Sequence, residues 1–465
     1  MTQNKVLLID PTSITHMPPK ILNKSESERS KKYGIAINKA VSEYLGENIE
    51  NINAFSGKFA VNYGLLMLSY LLKQNNITTE LISGDYFKDE KEFLKKIKEI
   101  SKNYSIACLT STTPQFMQVK KISEILKGSN PEIKTILGGP HTLYYKTGKK
   151  EENIDVVHIG YGIDESCRVI LDWLKGIPVE DEIIETNYYY DCPKNFDVIP
   201  KEQIDNTMLY SYISFGCPNN CNYCVEHKLV KRVTFNKIDE KLDEIELLVN
   251  KYGRKFIHLA DSDFLINRNM LEEFLKKLEN RKIKCCFSIN ATPNTLSNPQ
   301  NFDLIKRFVE DGLVEILIGV EHFSTKVLKT LNKNYNLKKL FAALEKIKRD
   351  AKLPVMSLYT LVGLPNEDHE AIMENLEIFK RMNERQLYDF SFPKFFVPYP
   401  DTEIYLHPEK FNVKILNKDW NEYHRWCLPR VIEIDGMKDE DYLKEIEEIS
   451  KISREYEASD YDKER

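Results

Sequence analysis

The sequence predicts an α/β chain built from two sheets in series. An N-terminal doubly wound, Rossmann-like sheet comes first, then a partial (β/α)6 barrel of the TIM type and a small C-terminal helical region. Three observations predict this. Short β-branched runs alternate with helical patterns from Lys5 to Asp164, and strands regularly separated by helices argue for a parallel sheet. Six further apolar runs recur after residue 208, as the strand–helix units of a barrel do. Between them, over 175–207, periodicity lapses around Pro178, Pro193 and Pro200, the mark of a link. The expected units are therefore 1–174, 175–207, 208–405 and 406–465.

Composition bounds the class. A chain of 465 residues accommodates two or three domains with full cores. Its hydrophobic share of 42% and charged share of 29% are those of a soluble globular protein. The net charge of −5, from 66 basic and 71 acidic side chains, gives no electrostatic case for nucleic acid or an anionic membrane. The opening MTQNKVLLID has no signal-peptide pattern, and the apolar stretch at 64–72 is too short to span a bilayer. Nine cysteines, three of them clustered, suggest a reducing compartment and a metal rather than disulfides. Cys108, Cys167, Cys192, Cys285, Cys286 and Cys427 read as small buried apolar residues. The expectation is a cytoplasmic monomer.

In the N-terminal third, KVLLID is a strand, and 12–56 reads as a long irregular connection with helical pieces. FAVNYGLLMLSYLLKQNN has the three-and-four spacing of a helix. The strands TTELISGDY, YSIACLTST, KTILGGPH and DVVHIGYG follow, with helices EKEFLKKIKEI and FMQVKKISEILK between them and another from Asp164. Ligands of such sheets lie beyond the carboxyl ends of the strands. The polar and glycine residues there are Ser111, Thr112, Thr113, Gly138, Gly139, His141, Gly160 and Gly162. In the link, the run YYYD at 188–191 either lines substrate space or covers an interface.

The barrel strands are expected at 210–216, 255–261, 284–290, 315–321, 354–363 and 389–396. At their carboxyl ends, where a barrel carries its active site, stand three cysteines, then Asp261 and Asp263, Asn290, Glu321, Gly363 with Pro365, and Lys394. A plainer role is open to some of them. Asp263 is also a candidate helix cap, and Glu321 a candidate partner for a lysine. After residue 405 come Trp420, His424 and Trp426, with packing as their simplest role, and a charged tail that reads as a solvated helix with one apolar stripe.

The first barrel strand leads into GCPNNCNYC, with Cys217, Cys221 and Cys224 in a Cys-x3-Cys-x2-Cys run. Two centres fit three such thiolates. Zinc wants four closed ligands, and His227 completes a Cys3His set. A 4Fe-4S cluster also wants four, so three cysteines leave one iron open. The context of strand–helix repeats, with no second zinc knuckle, favours the cluster.

GCPNNCNYC resembles the cluster loop of the radical S-adenosylmethionine (SAM) superfamily, including Tyr223 before its last cysteine. LADSDF, ILIGVEHFSTKVLKTLNK, LVGLPNEDHE and FVPYPDTEIY resemble further segments of that family. The strand ends CLTSTTP, ILGGPHTLYY and VHIGYGIDE resemble the cobalamin-binding domain that precedes many such enzymes. The resemblance covers roughly residues 1–405. It implies a 4Fe-4S cluster on Cys217, Cys221 and Cys224. It implies SAM contacts from Asp261, Asp263, Asn290, Glu321 and Gly363. Cobalamin contacts are implied for Ser111, Thr112, Gly138, Gly139, His141, Gly160 and Gly162. Two departures stand out: Tyr161 replaces a frequent acidic residue, and DPTSITHMPPK lacks the Asp-x-His-x-x-Gly motif, so the lower-axial histidine is missing.

The activity this implies is methyl transfer to an unactivated carbon of a small molecule. One SAM methylates reduced cobalamin, and a second yields the 5′-deoxyadenosyl radical that prepares the substrate carbon for the methyl of methylcobalamin. An electron donor such as flavodoxin or ferredoxin is implied with it. A non-methylating rearrangement, cyclisation or oxidation uses the same cofactors, and a zinc-stabilised binding module is a rival of another class. Methylthiolation is disfavoured, because the N-terminal third has no second three-cysteine set.

Overall fold

The computed structural model describes residues 5–12, 20–49, 59–147, 150–179, 183–205, 207–230, 232–416, 419–423, 430–434 and 436–461. His16 of the DPTSITHMPPK segment lies outside them, as do His424, Trp426 and Cys427, singled out above. Among the described residues, no helix is long and apolar enough to cross a membrane.

The first layer follows the expected alternation: β1 (Lys5–Asp10), α1 (Lys20–Leu45), α2 (Tyr63–Gln74), β2 (Thr78–Ser83), α3 (Glu90–Ile100), β3 (Ile106–Thr110), α4 (Phe116–Ser129), β4 (Lys134–Gly138), β5 (Val156–Tyr161) and α5 (Ile163–Leu174). One sixth strand was not expected. Residues Ile183–Tyr189, inside the proline-rich segment read as a link, form β6 and pair parallel with β5. The sheet order is β2-β1-β3-β4-β5-β6. The strands are buried on both faces, as Val6, Leu7, Leu8 and Ile9 of β1 show.

The second sheet holds β7 (Tyr210–Ser211), β8 (Phe256–Leu259), β9 (Cys286–Ala291), β10 (Leu313–Glu321), β11 (Val355–Val362) and β12 (Phe390–Phe395), in that spatial order and all parallel. This is an open, six-stranded part of a barrel. The first strand is shorter than the 210–216 expected. After Ser211 the chain leaves the sheet, and Ser214–Phe215 pair antiparallel with Thr234–Phe235. An amphipathic helix α6 (Ile238–Asn250) leads back to β8, and α7 (Arg268–Arg281), α8 (Phe302–Glu310), α9 (Leu337–Lys346) and α10 (His369–Glu384) cover other crossovers.

The segment 12–56, expected as an irregular connection, contains the 26-residue helix α1. Its stripe of Tyr33, Ile37, Ala40 and Val41 packs on Phe256, Cys286, Val314, Val355 and Phe390, close to the amino ends of the barrel strands. The helix thus floors the barrel with residues more than 200 positions away in sequence, and no local pattern announces that partnership. Tyr33 is its anchor. Its ring meets Phe390 and Phe392 edge-on at 5.4 and 5.5 Å, and its hydroxyl donates to Glu315 Oε2 at 2.7 Å. Ser357 donates to the other oxygen at 2.7 Å.

The C-terminal helix α11 (Asp439–Tyr461) carries the one apolar stripe expected of it. Tyr442, Ile446, Ile449 and Ile452 are buried where it packs on α10 and β12. Each such side chain contributes about 1.5–3 kcal/mol relative to exposure.

Burial pushes the Glu315 carboxyl from its ordinary 4.5 up to about 7. The fold therefore favours its protonated form; that stabilisation is full below the unfolded value and is lost as pH rises through about 7. Glu315→Gln, which cannot ionise, should gain on the native protein by up to about 3 kcal/mol between about pH 5 and about pH 8. Urea denaturation at both values measures this, and a gap independent of pH would contradict it.

Candidate active site

Gly216 opens the cysteine loop at φ +88°, where a Cβ would press on Val230 Cγ1 at 3.1 Å and Arg232 O at 3.2 Å. The carboxylate of Asp261, just after β8, fixes the approach to it. It accepts from Ile213 N–H at 3.0 Å and from the Ser214 hydroxyl at 2.6 Å, together with the Ser214 amide. These amides have left the sheet ladder, so a buried carboxylate replaces their lost partners. The loop's far side is tied to the segment after β10: Asn222 Nδ2 donates to Thr330 O at 2.8 Å, and Asn332 Nδ2 to Asn220 O at 2.8 Å.

Cys221 is buried, and Cys217 and Cys224 are half-buried. Burial pushes all three thiols up, Cys224 to about 12. A thiol so placed gives up its proton to a bound metal centre. The ligand atoms of the three cysteines and His227 are not all within 4.8 Å of one another. A single tetrahedral zinc with Zn–S bonds of about 2.3 Å needs its sulfurs about 3.8 Å apart. The wider spread suits an inorganic cluster better than one ion.

Glu321 ends β10 at φ +61°, a left-handed conformation rare outside glycine. The register with β11 shifts there, and the carboxylate turns toward the cysteine loop. Tyr223 of that loop donates to Glu321 Oε1 at 2.9 Å, and Lys333 Nζ lies 3.2 Å from the same oxygen. Gly319 makes room, since a Cβ there would sit 3.0 Å from Glu321 Oε1. The lysine pairing weighed in the sequence is thus present, at the mouth of the loop rather than away from it.

The other SAM candidates are turned onto the protein. Asp261 is fully buried, with both oxygens engaged as described. Asp263 accepts from the Thr292 and Thr295 hydroxyls at 2.8 and 2.7 Å, and Asn267 rather than Asp263 caps α7. Asn290 Nδ2 props the Asp261 carbonyl at 3.0 Å. Gly363, at φ +78°, faces Arg430 and Tyr442 of the C-terminal region.

A cleft of about 1090 Å³, its open mouth included, lies between the two sheets. One wall is made by the carboxyl ends of β3, β4 and β5, through Thr110, Gly138, Gly139 and Gly160. The opposite wall is Tyr210, Tyr212 and Phe215, the residues that run into the cysteine loop. Glycine is required on the first wall. A Cβ on Gly139 (φ +93°) would lie 2.7 Å from the Ser111 backbone, and one on Gly160 (φ +110°) 2.2 Å from Thr186 O.

The remaining cobalamin candidates do not reach the cleft. Ser111 is buried, with its hydroxyl on Thr112 O at 2.8 Å, and Thr112 joins a capping box with Gln115. Gly162 N–H donates to Thr186 Oγ1 at 3.0 Å. His141 lies within the fold, stacked on Phe116 at 4.1 Å and edge-on to Trp420 at 5.1 Å. The chain dives under the rim at Pro140, so residues past that point face the core. Trp420 takes the packing role expected of it.

Sequence reasoning missed Tyr63, Lys194 and His158, all in the lining. Tyr63 and Lys194 come from a helix start and from the segment read as a link, where no strand-end rule points. Of the tyrosine run, Tyr189 lines the cleft, stacked on Phe215 at 4.1 Å, while Tyr188 and Tyr190 are exposed. Tyr161 also lines it and packs on Phe215 at 4.6 Å. Both His158 ring nitrogens are engaged, by Ser166 at 2.6 Å and Thr186 at 3.0 Å, so it is no candidate to coordinate cobalt. A glycine rim facing an aromatic wall fits a large, flat cofactor that the backbone must approach closely.

Two α/β units share this cleft, and the second carries a loop of three cysteines suited to a metal centre. Residues 211–379 match the Radical SAM superfamily, and residues 52–170 match the B12 binding domain. Among its relatives, the anaerobic magnesium-protoporphyrin IX monomethyl ester cyclase of Rubrivivax gelatinosus is 23% identical over 404 residues, 80% of this chain and 71% of that one. The uncharacterized methyltransferase PH0819 of Pyrococcus horikoshii is 22% identical over 389 residues, 77% of this chain and 81% of that one. The fold is that of the radical SAM methyltransferase TsrM from Kitasatospora setae, solved with cobalamin and a 4Fe-4S cluster. The TM-score is 0.66 at 13% identity, covering 97% of this chain and 89% of that one. A second TsrM structure, with tryptophan and a SAM analog, gives 0.67. Its Radical SAM and B12 binding domains together place the chain among the cobalamin-dependent radical SAM enzymes, and they imply a 4Fe-4S cluster, SAM and cobalamin as cofactors.

Gly160→Ala should destabilise the protein by more than about 1 kcal/mol, through its φ and the Thr186 clash. Gly138→Ala, whose Cβ meets nothing within 4 Å, should fold normally yet retain less cobalamin. Thermal denaturation and the visible absorbance of the desalted protein read the two effects, and normal cobalamin retention by Gly138→Ala would remove that glycine from the site.

Proposed function

We propose that this enzyme methylates an unactivated carbon of a small-molecule substrate. The observation that carries the reading is the shared cleft: its glycine wall belongs to the B12-binding unit, and its aromatic wall runs directly into the cysteine loop. Methyl transfer needs both cofactors within reach of one carbon, and positioning of this kind supplies much of an enzyme's rate. In this reading Cys217, Cys221 and Cys224 hold the cluster, leaving one iron for SAM. Glu321 orients the SAM ribose, with Tyr223 and Lys333 holding its carboxylate. Gly138, Gly139 and Gly160 hold cobalamin. When bound, the cluster supplies an electron to SAM, and cobalamin supplies a carrier for the methyl group. Tyr161, Tyr189, Tyr212 and Phe215 keep water from the reacting carbon.

The small-molecule substrate is supported by the tryptophan bound to TsrM, and the net charge of −5 gives no support to a nucleic acid. The enzyme works as a monomer fed by an electron donor such as flavodoxin or ferredoxin. A second reading, ring closure or another non-methylating reaction with the same cofactors, is favoured by the cyclase relative that matches 80% of this chain.

Anaerobically reconstituted protein, incubated with SAM, reductant and candidate substrates, separates the two. A product heavier by one methylene unit supports methyl transfer, whereas conversion without that gain supports the second reading. Cys221→Ala should lack the cluster and release no 5′-deoxyadenosine; SAM cleavage by that variant would overturn the assignment of the loop.

A further inference from the structure

The cysteine loop has a second side, turned to solvent rather than to the cleft. Its tip, Pro218, Asn219 and Asn220, is exposed, and none of the three lines the cleft. Asn219 Nδ2 donates to Cys217 Sγ at 3.5 Å. One hydrogen bond thus separates a surface side chain from a sulfur that would hold the cluster. From Tyr210 to Val225 the chain carries no charged residue.

The segment tied to that tip is charged in one sign only. Asn332 Nδ2 donates to Asn220 O at 2.8 Å, and Asn222 N–H donates to Leu331 O at 3.0 Å. Across this segment, residues 325–344, stand five lysines and no acidic residue, in a chain whose net charge is −5. Lys333 turns inward to Glu321 at 3.2 Å, and Lys326 pairs with Asp368. Lys329, Lys338 and Lys339 are exposed. Where the chain after β12 meets the loop, through Ile404 N–H on Asn222 O at 3.2 Å, the acids are already answered. Glu403 pairs with Lys228 at 3.0 Å, and Glu409 lies beside His407 at 3.8 Å. An uncharged centre with a lysine rim is the layout of a transient protein interface, in which charge is depleted at the core and rim charges steer the encounter.

We propose that this face docks a small acidic protein that carries single electrons, and that Lys329, Lys338 and Lys339 steer it onto the tip at Asn219. The inference rests on the reading of Cys217, Cys221 and Cys224 as cluster ligands. The carrier is oxidised by one electron and the cluster reduced by one, with no atom or proton transferred. Approach from this side leaves the cleft to substrate and cobalamin. Redox encounters use small contacts, below about 1,200 Å² in total, so a loop tip and the helical segments Thr325–Thr330 and Leu337–Lys346 suffice. Lysines also draw phosphate, but the two aromatic rings of the segment are turned inward. Tyr335 donates to His322 O at 2.6 Å and Phe341 is buried in the core, so neither offers a face on which a base could stack.

The test uses the full chain, reconstituted without oxygen, and an acidic bacterial flavodoxin as the probe. Expected is binding that weakens as salt rises, with affinity reduced by about tenfold or more in Lys329→Glu/Lys338→Glu/Lys339→Glu. That variant should form 5′-deoxyadenosine as fast as wild type when dithionite is the reductant, and more slowly when reduced flavodoxin is. Reversing three exposed charges of α3 instead, in Lys91→Glu/Lys95→Glu/Lys98→Glu, should change neither binding nor rate. Equal affinity of flavodoxin for wild type and the first variant overturns the proposal, as does an equal loss in both variants. A single-stranded RNA that binds wild type more tightly than flavodoxin does, and is lost in the first variant, makes this a nucleic-acid face instead. If wild type forms no 5′-deoxyadenosine even with dithionite, the cluster reading fails and the docking face falls with it. Methylated product is not measured, so a failure of methyl transfer alone leaves every one of these outcomes standing.

Discussion

The seam between the two sheets is the constraint on which the rest of the structure depends. Tyr63 opens α2, and its ring lies flat on Tyr210, the first residue of the second sheet, with centroids 3.7 Å apart and planes within 4°. Its hydroxyl bonds to the Tyr210 backbone as well. Beside it, Lys194 is buried against Glu244 at 2.6 Å and lies over the Tyr63 ring at 5.4 Å. Glu244 also accepts from Ser211 at 2.6 Å, and Lys241 reaches Asp191 at 2.7 Å. Burial alone would push Glu244 up, but the two lysines hold it below its ordinary value and so keep it charged. Removing one member of such a buried network leaves an uncompensated charge, at a cost of about 3–5 kcal/mol. The seam therefore sets the distance between the glycine rim and the cysteine loop, and with it the width of the cleft.

The acidic residues at the strand ends divide by what they face. Asp261 and Asp263 are both pushed up to about 6 by burial and both held by neighbouring donors. They form a skeleton beneath the loop. Glu321 differs because its strand ends in a left-handed turn that swings the side chain out toward Tyr223. The β-bulge at Gly319–Glu321 sets this direction, and Glu321 Oε1 meets Tyr223 and Lys333 at the mouth of the loop.

The alternation of strands and helices was legible because hydrophobic periodicity is a local property, and every barrel strand was found on that signal. What was not legible depended on distant partners. Helix α1 reads weakly because Gly34 and Asn38 interrupt its stripe; its helical state rests on the barrel floor it covers. Strand β6 was hidden because most of its residues, IIETNYY, face outward and it lies between Pro178 and Pro193, although the outward–inward order of Tyr188 and Tyr189 is a strand's alternation. In the site, the rule that ligands sit beyond strand ends found the three glycines of the rim. It also gathered His141, Ser111 and Gly162, because sequence position gives the height of a residue above the sheet and not the direction of its side chain. The loop cysteines were legible for the opposite reason: three thiolates in eight residues need no distant partner to declare a metal centre.

The turn at Glu321 links the site to the far end of the chain. A non-glycine residue held in the left-handed region costs of the order of 1–3 kcal/mol and persists only where its surroundings over-determine it. The bonds that do so lie just after it. Tyr335 donates to His322 O at 2.6 Å, Phe323 N–H donates to Asn375 Oδ1 at 3.1 Å, and Ser324 N–H donates to the His322 ring at 3.0 Å. Asn375 in turn donates to Glu445 at 2.7 Å, on a helix whose inner face is seated by Tyr442, Ile446 and Ile449. The C-terminal helix does not line the cleft, yet the bonds that keep Glu321 aimed at the cysteine loop pass through it. A change that unseats this helix would release the strained turn first. The cysteine loop would lose the carboxylate facing it before either sheet lost a strand.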